Sequence, residues 1–163
     1  MQMKRNIKLV IAYDGTRYNG WQRQGNTENT IQGKIERILS GLLEEEIEIH
    51  ASGRTDAGVH AKAQVANFHT NSDISLEDIS SYLTIYLPND IAVYHMEEVP
   101  LRFHSRLNAV SKCYHYRIWN CHVPNVFEHR YLYQVEQHLD VDAMRKAAKY
   151  FEGTHDFKGF CSN

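Results

Sequence analysis

The segment at the centre of the chain's residue pattern reads Gly53-Arg54-Thr55-Asp56-Ala57-Gly58-Val59-His60. It connects two runs that are typical of β-strands: 46–50 carries isoleucine at alternate positions, and 64–69 carries valine and phenylalanine among small residues. A glycine on each side of the charged pair permits backbone angles that other residues resist. The sequence therefore predicts two strands joined by a loop that can turn tightly and let a ligand come close.

Arg54 and Asp56 are the two charged residues of this loop. If the loop is locally extended they project to the same side, because they are two residues apart. A guanidinium beside a carboxylate keeps the carboxylate ionised at neutral pH, which is the state that a nucleophile or general base needs. Many Arg/Asp neighbours in such loops are solvated ion pairs that only shape a turn. The residues alone leave both interpretations open.

The bulk composition is that of an ordinary folded protein. The chain has 163 residues, enough for one good-sized core or two small ones, with 42% hydrophobic and 23% charged residues. No apolar run approaches the roughly 20 residues that a membrane helix needs. The amino terminus leads directly into a strand-like run, without the pattern of a signal or transit peptide. We expect a cytoplasmic protein without membrane contact.

Cysteine and histidine give little support for a metal site. Three widely spaced cysteines are present, with no CxxC pair, and the ten histidines form no HExxH or HxH cluster. Free thiols in a reducing cytoplasm are the expected state. We therefore predict no metal.

Charge is unevenly distributed along the chain although the net charge is only -2. Six Lys and Arg residues lie between positions 4 and 34, and four more between 101 and 119, where no acid occurs. The segment 71–98 has six acidic residues and no Lys or Arg. This pattern fits one basic and one acidic face, and it fits equally a surface on which the charges mix after folding.

Hydrophobic periodicity predicts strand, helix, strand, strand, helix, strand for the first hundred residues, at 6–13, 30–43, 46–50, 64–69, 75–87 and 91–99. Asn29 or Thr30 would cap the first helix, and Ser75 with Asp78 resembles a capping box. We expect the acidic run 44–46 to be a solvated connector. The element order predicts a ferredoxin-like split βαβ arrangement, an antiparallel sheet backed by helices.

The loop 16–25 interleaves arginine with aromatic residues. Such a loop suits contact with RNA, because cations meet phosphates while rings stack on bases. The alternative is that Tyr18 and Trp21 close one end of the core, and we favour this alternative for Trp21.

Pro100 marks the expected boundary between a first subdomain, 1–100, and a second, 101–163. The second subdomain is predicted to contain a strand at 113–119 with Tyr114 on one face, a short strand at 130–135, and a helix. Asp140 would cap that helix and Gly153 would end it, with its apolar residues turned inward: Val141, Met144, Ala148 and Phe151. The later strands are missing. The prediction is therefore an α+β chain whose second half is incomplete, a truncated form of a longer protein.

Five motifs occur in an order that resembles the tRNA pseudouridine synthase A family over essentially the whole chain. The most specific is the loop 53–60. The others are Tyr13-Asp14-Gly15 with Gly20-Trp21-Gln22-Arg23-Gln24, Leu87-Pro88-Asn89-Asp90-Ile91, Phe103-His104-Ser105-Arg106, and Lys112-Cys113-Tyr114-His115-Tyr116. Cys113 departs from the family pattern, in which Thr or Arg is more usual.

The resemblance implies a pseudouridine-synthase fold of two ferredoxin-like halves around a basic cleft. It implies a cofactor-independent isomerisation of uridine to pseudouridine on the 3′ side of the anticodon stem-loop of tRNA, and a homodimer for the full-length enzyme. Asp56 would be the catalytic aspartate, Arg54 would help to displace the flipped base, and Tyr114 would pack on the uracil ring. The expected RNA contacts are Arg17, Arg23, Gln24, Arg106 and Lys112.

Two other functions remain open. One is a catalytically incomplete RNA-binding fragment, because the family's carboxy-terminal half supplies the rest of the cleft and part of the dimer contact. The other is a hydrolase that cleaves a glycosidic bond through Asp56. Glycosidases usually need a second carboxylate as acid, and none is evident near the loop 53–60.

Overall fold

The computed structural model of the chain describes residues 3–161, which form two compact units, 3–112 and 113–161. The units divide after Lys112 rather than at Pro100. Residues 100–108 stay with the first unit because side chains of its sheet bind their backbone. Within 3–161, no helix has both the length and the apolar character required to cross a membrane.

The first unit contains four strands and two α-helices in the predicted order, with a short 3-10 helix (Gly15–Arg17) after the first strand. Its elements are β1 (Arg5–Tyr13), α1 (Ile31–Leu43), β2 (His50–Ala51), β3 (Ala61–Thr70), α2 (Leu76–Tyr86) and β4 (Ile91–Val99). The strands form one sheet in the order β2-β3-β1-β4, and each neighbouring pair is antiparallel. The central position of β1 explains why none of its residues is exposed: each is buried or half-buried.

One face of the sheet and the helices enclose the hydrophobic core. Ile7, Leu9 and Ile11 of β1 have no exposed surface, and Phe68 of β3 lies opposite Ile7. Helix α2 packs against β4 and contacts α1, whose apolar stripe of Ile31, Ile35 and Leu39 is also fully buried. Each such side chain contributes roughly 1.5–3 kcal/mol on burial, so this packing offsets the glycines within α1.

Local capping begins both helices where the sequence predicts. The Thr30 hydroxyl accepts a hydrogen bond from the Gly33 N–H at 3.2 Å. At α2, the Ser75 hydroxyl accepts from the Asp78 N–H at 3.1 Å and donates to the Asp78 carboxylate at 2.7 Å. Each side chain satisfies an amide at a helix start that no intrahelical acceptor reaches.

The predicted strand 46–50 is only partly confirmed. Ile47 and Ile49 are buried, but β2 pairs with β3 only at His50–Ala51. The preceding amides bond to helix α1 instead: the Ile47 N–H donates to the Ser40 hydroxyl and the Ile49 N–H donates to the Glu36 carboxylate, both at 2.9 Å. The alternating pattern therefore arises from packing beneath α1 and not from a sheet ladder.

The prediction that 44–46 is merely a solvated connector is wrong for Glu45. Its carboxylate accepts hydrogen bonds from the Thr70 hydroxyl at 2.6 Å and from the Ser72 N–H at 2.9 Å. Partial burial acts to raise the pKa of Glu45, but the hydrogen bonds from Thr70, Asn71 and Ser72 together outweigh it and lower the pKa. Glu45 thus ties the end of β3 to the end of α1.

Three basic residues near the amino terminus pair with acidic residues of the segment 71–98 in the folded first unit. Arg5 pairs with Glu98 and Lys8 with Glu97, because β1 and β4 are neighbours. Arg17, which lies after β1, pairs with Asp90, which directly precedes β4. The interpretation in which the charges mix is therefore the correct one for these residues.

The second unit contains much less regular structure than predicted. Strands β5 (Ile118–Trp119) and β6 (Tyr133–Gln134) form a two-residue parallel pair, and α3 spans Val141–Ala148. Of the predicted strand 113–119 only its last two residues are paired, and of 130–135 only Tyr133–Gln134. A strand needs a neighbour to satisfy its backbone groups, and Tyr114 lies outside any ladder.

Helix α3 begins at its predicted cap, where the Asp140 carboxylate accepts from the Ala143 N–H at 2.9 Å. The expectation that its apolar side chains turn inward is wrong. Val141, Met144 and Phe151 are nearly half exposed, and no residue of α3 is buried. The periodicity identifies the helix, but within 113–161 no layer covers its apolar stripe.

Candidate functional site

The loop 53–60 begins at the edge of the sheet and is fixed there by a buried glutamine. The Ser52 N–H continues the pairing to the Val65 carbonyl at 2.8 Å. Gln64 of β3, only 8% exposed, accepts from the Ser52 hydroxyl at 2.8 Å and donates to the Gly53 carbonyl at 2.6 Å. Both ends of this amide are therefore used, and the start of the loop has one defined position.

Thr55 attaches the middle of the loop to the core. Its carbonyl accepts from the Trp21 N–H at 3.0 Å, and its hydroxyl lies 2.8 Å from the Tyr13 hydroxyl. Tyr13 and Trp21 are both buried, and burial raises the pKa of Tyr13 against the effect of its hydrogen bonds to Thr55 and Gln64. The residues on either side of Thr55 are left exposed.

The end of the loop turns back on itself and rests on the segment 15–21. The Val59 N–H donates to the Asp56 carbonyl at 3.2 Å, and the Gly58 N–H donates to the Tyr18 carbonyl at 3.3 Å. A Cβ on Gly15 would lie 2.0 Å from the Val59 carbonyl oxygen. The two segments thus touch backbone to backbone, and only glycine fits at position 15.

Asp90 in turn supports the segment 15–21, on which the loop 53–60 rests. Its carboxylate accepts from the Tyr18 hydroxyl and from the Arg17 guanidinium, both at 2.6 Å, and its carbonyl accepts from the Asp14 N–H at 2.9 Å. Burial acts to raise the pKa of Asp90, but the bonds from Tyr18 and Arg17 outweigh it and lower the pKa. Burial and this carboxylate raise the pKa of Tyr18, which keeps Tyr18 a hydrogen-bond donor.

The expected ion pair between Arg54 and Asp56 is not formed: within 3–161, no salt bridge joins them. Both side chains are exposed. Arg54 lines a cleft beside the loop, whereas Asp56 does not. The structure therefore presents an accessible carboxylate and a separate cation, because Thr55 between them is anchored to the core.

The cleft beside Arg54 has a volume of about 320 Å³ and is lined by cationic and imidazole side chains. We call it the basic cleft and define it by His50, Arg54, His104, Arg106 and Lys112. The rings of His50 and His104 stack with centroids 5.0 Å apart and planes 22° apart. Glu48 is the only carboxylate among the lining residues. The cleft therefore carries an excess of positive charge that suits a polyanion.

The five residues expected to contact RNA fall into two groups. Arg106 and Lys112 line the basic cleft with Arg54, and in the described chain none of these three makes an ion pair. Arg17 and Arg23 are instead neutralised internally, and neither they nor Gln24 line the cleft.

The partners of this second group explain its different position. Arg17 bonds to Asp90, which raises the pKa of Arg17. Arg23 Nη1 lies 3.2 Å from Oε2 of the buried Glu36, an ion pair without hydrogen-bond geometry. The Gln24 amide donates to the Asn19 carbonyl at 3.0 Å. These three side chains therefore maintain the loop 16–25.

The aromatic residues of the loop 16–25 are not available for stacking on bases. Tyr18 is 6% exposed and Trp21 is 1% exposed. The favoured interpretation of Trp21 as part of the core is confirmed. Tyr114, the aromatic residue expected to pack on uracil, belongs to the second unit and is 73% exposed.

Sequence reasoning missed the residues that hold the site together. Gln64 lies opposite Ile11 on the core-facing side of β3, and a polar residue at an apolar position was the available signal. The anchoring role of Thr55 had no signal, because its partners at positions 13 and 21 are distant in sequence.

The chain is similar in sequence to several known proteins. A family model described as tRNA pseudouridine synthase matches residues 9–108, more than half of the chain. A tRNA pseudouridine synthase A from Bacillus sp. (strain KSM-64) is 52% identical over 155 residues, which cover 95% of this chain and 64% of that protein. A tRNA pseudouridine synthase A 2 from Clostridium perfringens (strain 13 / Type A) is 50% identical, covering 96% and 64%.

A more distant relative gives the same result. The tRNA pseudouridine synthase A of Acetivibrio thermocellus is 46% identical over 159 residues, which cover 98% of this chain and 65% of that protein. The chain thus spans slightly less than two thirds of the length of these relatives. On the family match and the identities together, this chain belongs to the tRNA pseudouridine synthase family.

Proposed function

We propose that this chain is the part of a tRNA pseudouridine synthase that carries the catalytic carboxylate. The complete enzyme would isomerise uridine to pseudouridine on the 3′ side of the anticodon stem-loop of tRNA. One observation carries the proposal: Asp56 is exposed on a loop whose backbone is held by Gln64, Trp21 and Tyr18. A carboxylate that is accessible while its backbone is fixed suits a group that must meet a substrate in one geometry.

The proposed reaction needs an ionised carboxylate and no change of redox state. The bond between C1′ of the ribose and N1 of uracil breaks, the base rotates, and a bond forms between C1′ and C5. The proton on C5 is lost to solvent and N1 gains one, so the net change is an isomerisation. Asp56 would either add to C1′ or remove the 2′ proton, and both routes begin from its carboxylate. This atom balance requires no cofactor.

The target base must leave the helical stack before this chemistry, at a cost of a few kcal/mol. In our proposal Arg54, two residues before Asp56, helps to displace the base and then contacts the RNA from the edge of the basic cleft. Tyr114 packs on the uracil ring, where an aromatic face offsets part of the lost stacking.

The basic cleft is the proposed site for the RNA backbone. Within the described chain, Arg54, Arg106 and Lys112 make no salt bridge. Such cations bind phosphates with an affinity that falls as salt rises. Arg17, Arg23 and Gln24 remain proposed RNA contacts, and we expect them to contribute less to tRNA affinity than the residues of the basic cleft. Their internal partners compete with phosphate for the same donors.

The proposal extends to the architecture of the complete protein. The sheet order β2-β3-β1-β4, with a helix after β1 and another after β3, supports a ferredoxin-like first subdomain. A second subdomain beginning at residue 101, a homodimer and a cytoplasmic location belong to the same proposal. Each of these is an expectation for the longer enzyme.

The test is release of tritium from tRNA labelled at uracil C5. It should be performed with this chain alone and with this chain joined to the carboxy-terminal portion of the Bacillus sp. (strain KSM-64) relative. We expect release by the joined protein. Asp56→Asn should abolish release while tRNA binding persists, whereas Asp73→Asn, the same change at another exposed aspartate, should leave release unchanged.

The products distinguish the alternatives. Free uracil would indicate a hydrolase that cleaves the glycosidic bond without rejoining it. Binding of tRNA by the joined protein with neither product would indicate an RNA-binding module. The second alternative has one observation in its favour, since the chain spans only 64% of its relative's length. Full activity of the 163-residue chain alone would contradict our account of an incomplete second half.

A further inference from the structure

The segment 100–108 supplies His104 and Arg106 to the basic cleft although it contains neither helix nor strand. Such a segment has no ladder to satisfy its backbone groups. Two asparagines of the sheet provide the missing partners. Asn6 of β1 is 1% exposed and Asn67 of β3 is 0% exposed.

The two asparagines and the segment form one connected hydrogen-bond network. Asn67 Nδ2 donates to Asn6 Oδ1 at 2.9 Å, and Asn6 Nδ2 donates to the Phe103 carbonyl at 2.9 Å and to the Pro100 carbonyl at 3.1 Å. Asn67 Oδ1 accepts from both the N–H and the hydroxyl of Ser105, at 2.8 and 2.9 Å. Each amide uses its donors and its acceptor.

Asn67 restrains the cleft from two sides. Ser105, which it holds, is 2% exposed and is flanked by the cleft residues His104 and Arg106. His50 lies directly opposite Asn67 in the pairing of β2 with β3, and the His50 ring stacks on His104. The position of Asn67 is therefore linked to His50, His104 and Arg106 by direct contact or by one intervening residue.

An apolar side chain at position 67 could fill the space but could not fix the backbone of 103–105. A buried amide costs free energy unless its hydrogen bonds are made, so only the arrangement that satisfies all of them is stable. A fully satisfied network of this kind specifies one position of the chain. Asn67 has no exposed surface and cannot contact a ligand itself.

We propose that Asn67 is a positioning residue for tRNA binding: through Ser105 it fixes the backbone of 104–106 so that the Arg106 guanidinium meets the RNA backbone. This inference rests on the proposed function of the basic cleft. It assigns to a buried residue of the sheet an effect on affinity that acts through an exposed residue of the cleft.

The test is a double-mutant cycle on the tRNA affinity of the joined protein, measured as a function of salt at about pH 8, where an ordinary histidine is neutral. Arg106→Ala should weaken binding about 5- to 10-fold and reduce the salt slope by about one phosphate contact. Asn67→Ala should reproduce much of this loss. The double variant should bind no more weakly than Arg106→Ala alone, because Asn67 acts through Arg106.

A matched control separates positioning from stability. Thr70 is another buried polar residue of β3, and its hydroxyl donates to Glu45. Thr70→Ala should lower stability without changing the salt slope. Should Asn67→Ala fail to fold, Ser105→Ala removes only the hydroxyl bond and should give a smaller loss, about 2- to 3-fold, that is likewise absent when Arg106 is already alanine.

Each of the following results would overturn the inference. Losses of Asn67→Ala (or Ser105→Ala) and Arg106→Ala that add in the double variant would show that Asn67 does not act through Arg106. A change of slope in Thr70→Ala equal to that in Asn67→Ala would make the effect one of general stability. Failure of the joined protein without substitutions to bind tRNA would remove the proposed function and this inference with it. Normal binding by Asn67→Ala, with weakened Arg106→Ala, would overturn only the inference.

Discussion

The two compact units differ in how far their hydrophobic side chains are buried. In 3–112, large side chains such as Phe68 and Trp21 are almost completely buried. In 113–161 no residue is buried, and Phe127 and Tyr116 are more than 90% exposed. Because burial of apolar surface is the main favourable contribution to folding, the comparison indicates that the first unit contains its own stabilising core and the second does not.

The local structure of the second unit shows what remains without such a core. Its helix α3 keeps its Asp140 cap, and β5 and β6 keep their two-residue pairing. Phe151, Phe157 and Phe160 contact one another, with ring centroids 5.3 to 6.4 Å apart. Short-range hydrogen bonds and ring contacts are thus present, but each is close to solvent, and such structure opens easily.

Hydrogen exchange should separate the units by the largest factor. Amides that join β1 to β3 should exchange at least about 1000-fold more slowly than the Tyr133 and Val135 amides, which donate to the Arg117 and Trp119 carbonyls. The β1–β3 amides exchange only when the core unfolds, whereas the Tyr133 and Val135 amides exchange through local unfolding. The measurement is amide exchange by NMR on the 163-residue chain. Equal protection in both units would contradict the comparison.

A matched pair of phenylalanine substitutions should show the same contrast in stability. Phe68→Ala removes a fully buried ring and should lower the free energy of unfolding of the first unit by about 3–5 kcal/mol. Phe127→Ala, at 93% exposure, should change it by less than about 0.5 kcal/mol. Urea unfolding followed by Trp21 fluorescence, in a Trp119→Phe background, reports on the first unit alone.

Substitutions at two glycines with positive φ test whether the close contact between the segment 15–21 and the loop 53–60 affects stability and activity. Gly20 has φ +90° and Gly153 has φ +99°, so alanine is strained at both positions. A Cβ on Gly20 would also lie 2.8 Å from the Thr55 carbonyl oxygen, whereas one on Gly153 would meet only the end of a side chain, at 3.6 Å.

Gly20→Ala should therefore cost about 2 kcal/mol or more in the Trp21-monitored unfolding, and Gly153→Ala should not change it measurably. Gly20→Ala should also reduce tritium release by the joined protein, because it displaces the loop that carries Asp56. Unchanged stability and activity in Gly20→Ala would show that the close approach of the two segments has no consequence.

The smallest expected effect concerns two carboxylates whose pKa values are lowered, one in each unit. The pKa of Asp90 is lowered because its bonds from Tyr18 and Arg17 outweigh burial, and that of Glu128 is lowered by its hydrogen bond from Arg117. A folded-state pKa below the unfolded value stabilises the fold above the unfolded pKa of about 4, and this contribution is lost as pH falls through the folded-state pKa.

Asp90→Asn should therefore lower the stability of the first unit by about 1 kcal/mol at neutral pH and by progressively less below about pH 4. Glu128→Gln should leave the Trp21-monitored unfolding unchanged at every pH. Unfolding curves for both variants between about pH 3 and pH 7 provide the measurement. A loss in Asp90→Asn that does not diminish at low pH would mean that the carboxylate charge is not its cause.

Much of the first unit could be predicted because its signals are local. The strand and helix periods and the caps at Thr30 and Ser75 each depend on residues within one turn or a few positions. The strand predicted at 113–119 failed for the opposite reason. Its residues have suitable propensity, but a strand forms only where a partner pairs with it, and pairing there extends over two residues.

The site was predictable only in part. The glycine-flanked loop and its exposed Asp56 follow from the sequence pattern, while the expected pair between Arg54 and Asp56 did not form. The sequence also gave no means to separate Arg106 and Lys112, which share the basic cleft, from Arg17 and Arg23, which have internal acidic partners. Those partners lie 73 and 13 positions away in the chain.

By itself the sequence determined the order of strands and helices in the first unit, the ends of its two α-helices, and a charged loop between the second and third strands. Those properties depend on neighbours in the chain, whose distances are fixed by covalent geometry. Only the tertiary structure decided which cations remain unpaired. It also decided that Thr55 is anchored to the core between the exposed Arg54 and Asp56, and that Asn67 holds the segment 100–108 beside the basic cleft. These depend on which distant residues the packed sheet brings within hydrogen-bond reach, and short-range patterns carry no information about that.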